Sequence, residues 1–299
     1  EIYTGDTSSA ASDVYKRQGL SDAARSSVDI ALWDLAAKKA DCPLHELLGA
    51  KRTAIEPYAS FPFYDSLPEY IDAVEQYSKL GYTTFKFHVW GSIEEDLLLV
   101  ELLKQTFANA HYRFMIDIEE KYDLEDATRL GKQMNEELFV WLEGPLEDEY
   151  LGQYAELRSR VSTQIISDGC RCYSRDFVRQ GIESGSWDAG RFDATKVGGV
   201  TEALELLLIA NDAGLAMEIQ SWGHSLSQAV NLHLALANTR TRYFEAPTPT
   251  NAFEFGMKNG VSLSQGRVVA PDGPGLGIQV DWESLDSADF YVCSKQFDP

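Results

Sequence analysis

The chain has 299 residues, of which 44% are hydrophobic, and a formal net charge of −21 from 26 basic and 47 acidic residues. This acidity argues against binding to nucleic acid or to anionic membranes, because both depend on clustered Lys and Arg. No apolar run approaches the roughly 18 residues of a membrane-spanning helix, and the four cysteines lack the spacing of a zinc site. We therefore expect a cytoplasmic protein with one large domain.

The N-terminal part of the chain divides into two segments. Residues 1–18 are rich in Ser and Ala and show no hydrophobic period, so we interpret them as a disordered or non-native leader. From Asp22 to Leu48, apolar residues recur at helical spacing, with Ser21 or Asp22 as an N-cap and Gly49 as a stop. A second short helix is expected between Pro43 and Leu48.

Beyond residue 52, eight short apolar runs alternate with amphipathic helical segments. An open doubly wound sheet is disfavoured, because no Gly-rich phosphate motif follows the first run. Eight strands that alternate with helices favour a parallel α/β barrel instead. The predicted strands are Ile55–Phe61, Thr83–Val89, Phe114–Ile118, Val140–Pro145, Gln164–Gly169, Phe192–Val197, Met217–Trp222 and Tyr243–Pro247.

Polar residues close seven of these strands at intervals of 25 to 31 residues: Lys86, Asp117, Glu143, Asp168, Asp193, Gln220 and Glu245. The carboxyl ends of the strands in a parallel barrel surround one mouth, so these side chains would share a site. Asp117, Glu143 and Asp168 end successive strands and would repel one another unless a cation lay between them. We therefore predict one Mg²⁺, since it prefers oxygen ligands. Three separately salt-bridged acids are the alternative, which the lack of a matching basic set disfavours.

Longer motifs occur in a fixed order over residues 19–282. They include SSVDIALWDLAAKKADCPLHELLG, Lys86-Phe-His88, Trp141-Leu-Glu143-Gly-Pro145, Asp193-Ala-Thr-Lys196-Val-Gly-Gly199 and Pro274-Gly-Leu-Gly-Ile. With these motifs the chain resembles the mandelate racemase/muconate lactonising branch of the enolase superfamily, as an N-terminally truncated member. The resemblance implies a modified (β/α)7β barrel of the TIM type over residues 53–282. It also implies a helical remnant of an N-terminal α+β capping domain over 19–52 and a C-terminal extension, 283–299, packing back toward the cap.

The resemblance further implies a reaction in which Mg²⁺ helps to remove the proton α to a carboxylate and stabilises the enediolate. Asp117, Glu143 and Asp168 are the implied metal ligands, and Lys86 would contact the substrate carboxylate. His88 would occupy the base position, for which imidazole is suited because it titrates near neutrality. Glu245 is the implied hydrogen-bond donor to the enediolate, a role that requires a protonated carboxyl.

The opposite face of the substrate departs from the racemase pattern. Asp193 corresponds to the Asp of an Asp–His dyad, but Gln220 stands where the His is expected and cannot take a proton. His224, reaching back from the next loop, and Lys196 are the two alternatives for a second base. Gln220 and His224 are also candidate substrate contacts.

From these features we expect an enzyme acting on a small carboxylate-bearing substrate, foremost a dehydratase of sugar acids, because one competent base suffices for β-elimination. A racemase, epimerase or cycloisomerase that uses Lys196 is the alternative within the family. A catalytically inert barrel that binds a carboxylate or serves as a structural subunit is the alternative outside it. A homo-oligomer is expected, as is common in the resembled family.

Overall fold

The computed structural model describes residues 21–169 and 174–287. The predicted leader at 1–18 and most of the predicted C-terminal extension lie outside these ranges. Helices α1 (Asp22–Lys39) and α2 (Leu44–Leu47) precede the first strand. The Ser21 hydroxyl caps α1 by accepting a hydrogen bond from the Ala24 N–H at 3.4 Å. Two lysines in the last turn of α1 complement the helix dipole.

Eight strands and the helices between them form the body of the molecule. The strands are β1 (Ala54–Phe61), β2 (Thr84–His88), β3 (Arg113–Asp117), β4 (Phe139–Glu143), β5 (Gln164–Ile166), β6 (Ala189–Phe192), β7 (Ala216–Ile219) and β8 (Tyr243–Pro247). The helices are α3 (Leu67–Ser78), α4 (Ile93–Phe107), α5 (Leu124–Gln133), α6 (Leu151–Arg160), α7 (Arg175–Ser184), α8 (Ala194–Val197), α9 (Val200–Asp212) and α10 (Ser225–Ala237).

The strands pair in parallel in the order β7-β6-β5-β4-β3-β2-β1-β8. Strands β7 and β8 meet through side chains: the Thr241 hydroxyl donates to the Met217 carbonyl at 2.7 Å, and Arg242 donates to Glu218 at 2.8 Å. The ring therefore closes. This confirms the predicted α/β barrel of the TIM type.

Side chains alternate between the inside of the barrel and the helices outside it, as the pleat requires. Inward-facing Tyr58, Met115, Trp141, Ile166 and Ala189 belong to one buried cluster that fills the barrel interior. The outward-facing aromatic residues of β2 and β3 belong to a larger cluster shared with the surrounding helices. The interior is thus packed with apolar side chains, and it also contains buried polar groups such as Lys86, Thr84 and Glu218.

One strand prediction is wrong. The predicted strand Phe192–Val197 is placed too late, because β6 ends at Phe192 and residues Ala194–Val197 form helix α8. The Asp193 carboxylate starts this helix by accepting a hydrogen bond from the Thr195 N–H at 2.9 Å. A short apolar run cannot by itself distinguish a strand from a single helical turn.

Further elements cover the other end of the barrel and the C-terminal side. A hairpin of β9 (Ser262–Ser264) and β10 (Arg267–Val269) adds antiparallel to the start of β1. A 3₁₀ helix spans Thr250–Phe253, and α11 spans Trp282–Asp286.

Within the described parts of the chain, no helix combines the length and apolarity needed to cross a bilayer. The assignment of 19–52 to a capping domain stays a prediction.

Candidate active site

A buried ionic network lies at the centre of the barrel, and Lys86 is at its middle. The Lys86 Nζ atom is 2.8 Å from carboxylate oxygens of Asp117, Glu143 and Glu245. These residues end or nearly end β2, β3, β4 and β8, and the strand register sets His88 beside Asp117 and Asp117 beside Glu143. All four charged side chains are at most 4% exposed. The even spacing of polar strand ends in the sequence therefore corresponds to residues that share one interior.

Arg191 completes this network, and the sequence analysis missed it. Its Nη2 donates to Glu245 Oε2 at 2.8 Å and its Nη1 to the Tyr58 hydroxyl at 3.0 Å. Its Nε lies 2.8 Å from Glu143 Oε1, as an ion pair rather than a directed hydrogen bond. Arg191 stands two residues before Asp193, on the inward face of β6. That spacing was a usable signal, but the predicted strand began after Arg191.

The charges in this network set the protonation of its carboxyls. Burial raises the pKa of Glu245, but Lys86 and Arg191 outweigh burial and hold it below its ordinary value. Burial likewise raises the pKa of Asp117, but Lys86 and His88 outweigh burial and lower this pKa to about 2. For Glu143, burial is the largest effect and raises its pKa. The neighbouring Asp117 and Glu245 carboxylates raise it further, so the opposing charges of Arg191 and Lys86 are outweighed.

Glu245 thus differs from the expected protonated donor. Its two oxygens accept from Lys86, Arg191, the Ser60 hydroxyl at 3.0 Å and the Ser221 N–H at 2.9 Å. Every one of these groups stabilises the ionised form. The requirement for a raised pKa at Glu245 is therefore not met in this structure, because two cations lie where the expectation assumed only burial.

His88 is held at the mouth with a defined orientation. Its Nδ1 is 2.6 Å from the Phe61 carbonyl oxygen, which can only accept, so Nδ1 carries a hydrogen. Its Nε2 faces Asp117 Oδ2 at 3.3 Å, and its ring packs edge-on against Trp222. The His88 side chain is 15% exposed, in contrast to the fully buried Lys86. Nε2 is therefore the ring nitrogen that is not bound to the backbone and that faces the Asp117 carboxylate.

Asp168 lies in a different carboxylate group from Asp117 and Glu143. Among the described residues, one set of three carboxylates has oxygens that all lie within 4.8 Å of one another, and it consists of Glu120, Asp148 and Asp168. Burial and the neighbouring Asp168 raise the pKa of Asp148 to about 7. Glu120 and Asp148 follow β3 and β4 on loops and were not predicted. Lys86, not Asp168, is the group that joins Asp117 to Glu143.

The donor set fits a hard divalent cation. All candidate ligands are carboxylate oxygens, which Mg²⁺ prefers, and Asp117, Glu143 and Asp168 are each at most 7% exposed. A Cβ at Gly144 would come 2.8 Å from Asp168 Oδ2, so the Asp168 carboxylate lies directly against the residue that follows Glu143. The predicted ligands therefore belong to one neighbourhood of the mouth, and their joint binding of a metal stays a prediction.

The opposite side of the mouth is formed by residues that follow β6 and β7. Asp193 Oδ1 accepts from the Asn231 amide at 2.8 Å and from the Thr195 hydroxyl at 2.8 Å. Lys196 Nζ donates to Gln220 Oε1 at 3.1 Å, so the two residues at this face contact each other. His224 caps α10, and its Nε2 is 2.7 Å from the Phe255 carbonyl oxygen. Both His224 ring nitrogens are thereby engaged within the loop and helix rather than toward the mouth.

Helix α1 fixes the loop that carries Lys196. The Gly198 N–H donates to the Ser26 hydroxyl at 2.9 Å, and Asp29 accepts from the Thr201 N–H and hydroxyl at 3.0 and 2.6 Å. Gly199 adopts φ +95°, and a Cβ there would lie 2.4 Å from Asp29 Oδ2. The two glycines after Lys196 are needed because the loop approaches α1 this closely.

Comparison with known proteins identifies the family. The profile described as "Enolase C-terminal domain-like" matches residues 69–284, and "Mandelate racemase / muconate lactonizing enzyme, N-terminal domain" matches residues 6–49. A structure from Pseudovibrio sp., provisionally described as a mandelate racemase/muconate lactonizing enzyme, is 36% identical with a TM-score of 0.87. The match covers 90% of this chain and 72% of that one.

Curated relatives carry out several reactions. Arabinonate dehydratase from Saccharolobus solfataricus is 26% identical over 89% of this chain and 72% of its own length. D-galactarolactone cycloisomerase from Agrobacterium fabrum is 26% identical over 90% of this chain and 74% of its own length. Other relatives include an epimerase and o-succinylbenzoate synthases, so the chain is related to both lyases and isomerases. The chain belongs to the mandelate racemase/muconate lactonizing enzyme family of the enolase superfamily.

Proposed function

We propose that the chain removes the proton α to the carboxylate of a sugar acid and then eliminates the β-hydroxyl, as a Mg²⁺-dependent dehydratase. Asp117, Glu143 and Asp168 would hold the metal. Bound Mg²⁺ would supply fixed positive charge where the enediolate develops negative charge. The α-proton of a carboxylate is very weakly acidic, so a positioned base is also required.

The orientation of His88 carries this proposal. Its Nδ1–H is committed to the Phe61 carbonyl, which leaves Nε2 as the proton-accepting atom at the mouth. Lys86 lies two residues earlier on the same face of β2 and adds positive charge in the adjacent layer. After taking the α-proton, the His88 imidazolium is able to return a proton to the departing hydroxide. One residue can therefore support both steps of a β-elimination.

The relatives support a sugar-acid substrate. Arabinonate dehydratase, L-talarate/galactarate dehydratase from Salmonella typhimurium and D-gluconate dehydratase from Thermoproteus tenax are each 26–27% identical to this chain. Their names all describe the loss of water from a sugar acid.

A second candidate is an epimerase or cycloisomerase, and the position of Lys196 favours it. Lys196 follows β6, which is four strands from β2 in the eight-stranded ring, so it and His88 come from opposite sides of the mouth. Proton removal on one face and delivery on the other needs groups arranged in this way. Gln220 accepts a hydrogen bond from Lys196 and holds its ammonium at this side.

The experiment is a screen of acid sugars and other α-substituted acids in D₂O with Mg²⁺, followed by mass spectrometry and NMR. The proposal expects a 2-keto product from at least one sugar acid. His88→Asn should lower the rate by roughly 100-fold or more, the usual contribution of a general base. Lys104→Met, which alters an exposed side of α4, serves as the control and should leave the rate unchanged.

Lys196→Met separates the two candidates. A dehydratase that works through His88 should keep most of its rate, whereas an epimerase should lose nearly all of it. If no acid in the panel loses its α-hydrogen or yields a 2-keto product at any Mg²⁺ concentration, the chain is an inert barrel and both enzymatic candidates are rejected.

A further inference from the structure

The buried network contains more acid than base among its five charged side chains. Asp117, Glu143 and Glu245 supply three carboxylates, while Lys86 and Arg191 supply two cations. All five side chains are at most 4% exposed, so solvent screens their interactions weakly. The balance of charge in this interior therefore depends on each cation individually.

Arg191 is placed to serve two carboxylates at once. It bridges Glu143, at the end of β4, and Glu245, on β8, through different atoms of one guanidinium group. Glu143 has a further donor, the Trp141 indole N–H at 3.0 Å from Oε2. Its other oxygen, Oε1, faces both Lys86 and Arg191 at 2.8 Å. The two cations therefore converge on a carboxylate that the proposed function assigns to the metal.

We propose that Arg191 is a positioning residue that provides internal charge compensation for these carboxylates, so that the barrel folds without Mg²⁺ and binds the metal less tightly than the acids alone would. This inference rests on the proposed metal site. Without Arg191, three buried carboxylates would face one cation, an arrangement that is strongly destabilising unless another cation arrives. A divalent ion would then become a requirement for stability rather than for chemistry alone.

The test compares the wild type, Arg191→Met and Arg191→Lys by calorimetric Tm, after EDTA treatment and again with saturating MgCl₂. Without metal, the Tm of Arg191→Met should be lower than wild type by roughly 10 °C, and MgCl₂ should restore most of that loss. Titration calorimetry should show Mg²⁺ binding to Arg191→Met at least about tenfold more tightly, because a nearby positive charge has been removed. Arg191→Lys, which keeps the charge, should lie close to wild type in both measurements.

Arg242→Met is the matched control. Arg242 also pairs with a buried carboxylate, Glu218, at 2.8 Å, but Glu218 lies outside the network. This variant should lower the Tm equally with and without MgCl₂. A merely structural role for Arg191 would give the same result as Arg242.

Equal gains in Tm from MgCl₂ for wild type and Arg191→Met, with equal affinities, would overturn the inference. If Arg191→Met does not fold even with MgCl₂, the Arg191→Lys variant decides the question. A Tm gain from MgCl₂ or a Mg²⁺ affinity that is far from the wild-type value would then contradict charge compensation. Absence of any Mg²⁺ binding by the wild type also overturns it. Neither measurement needs a substrate, so a negative activity screen with intact Mg²⁺ linkage removes the proposed reaction and leaves this inference standing.

Discussion

Gly199 lies where the loop after Lys196 packs directly against Asp29 of helix α1. We predict that Gly199→Ala lowers the free energy of unfolding by about 2–5 kcal/mol, because it adds overpacking against Asp29 to the strain of a positive φ. Urea denaturation measures the effect. The control is Gly214→Ala, where φ is +78° and no atom lies within 4 Å of the added Cβ. That change should cost only about 1–2 kcal/mol, and an equal loss at both sites would contradict the packing argument.

His233 is a buried residue whose protonation opposes folding. Its Nδ1 accepts from the His45 N–H at 3.1 Å and its Nε2 lies 3.2 Å from the Leu276 carbonyl oxygen, so the neutral Nε2–H form fits. Burial lowers the pKa of His233 to about 4, with a further lowering from His45 and an opposing effect of Asp34. Burial also lowers the pKa of His45.

The sign of the pH effect follows from these shifts. A depressed folded-state pKa means that the unfolded chain binds more protons, so the stabilisation is complete above pH 6.5 and declines as pH falls toward 4. For His233 the difference amounts to about 3 kcal/mol. The free energy of unfolding of the wild type should therefore fall between pH 6.5 and pH 4. We predict that His233→Gln reduces this fall by the same amount, as measured by urea denaturation at each pH. His111→Gln, at an exposed position, should reproduce the wild-type slope.

At the scale of elements, α1 holds the loop after β6 through specific polar contacts. Ser26 is buried and accepts from the Gly198 N–H, whereas neighbouring Ser27 is exposed and donates to the Ala23 carbonyl of its own helix. We predict that Ser26→Ala costs about 1–3 kcal/mol, since it leaves a buried N–H without its partner. Ser27→Ala should change stability by less than about 0.5 kcal/mol.

Hydrogen exchange distinguishes a local effect of Ser26→Ala from a general one. The amides of residues 194–201 should exchange faster in this variant, while those of β3 and β4 should keep their protection. Uniform loss of protection across the barrel would contradict the assignment of Ser26 to this loop.

At the scale of the whole molecule, the net charge of −21 opposes the compact state through self-repulsion. Added salt screens this repulsion, since the Debye length falls to about 3 Å at 1 M. We predict that NaCl raises the Tm by on the order of 2–4 °C, which corresponds to about 1 kcal/mol in a domain of this size. Choline chloride should act equally if the effect is screening, and a rise with NaCl alone would indicate a specific Na⁺ site instead.

The candidate site was predictable from sequence to the extent that it lies at strand ends. Lys86, Asp117, Glu143 and Glu245 meet as the spacing indicated, because parallel strands in register bring their ends to one place. Arg191 was missed because it lies within a strand whose start was misjudged. The grouping of Asp168 with Glu120 and Asp148 was also missed, since the paths of the loops after β3 and β4 decide it.

The alternation of eight strands with helices, the barrel and the family could all be predicted from the sequence, because hydrophobic period and motif order are read directly along the chain. The lowered pKa of Glu245, the orientation of His88 and the partners of His224 became evident only in the folded structure. Each of these depends on groups far apart in sequence, such as Arg191 and Glu245 or Phe61 and His88, that come together only when the ring closes. Burial then makes their charges act strongly on one another, and no local pattern contains that information.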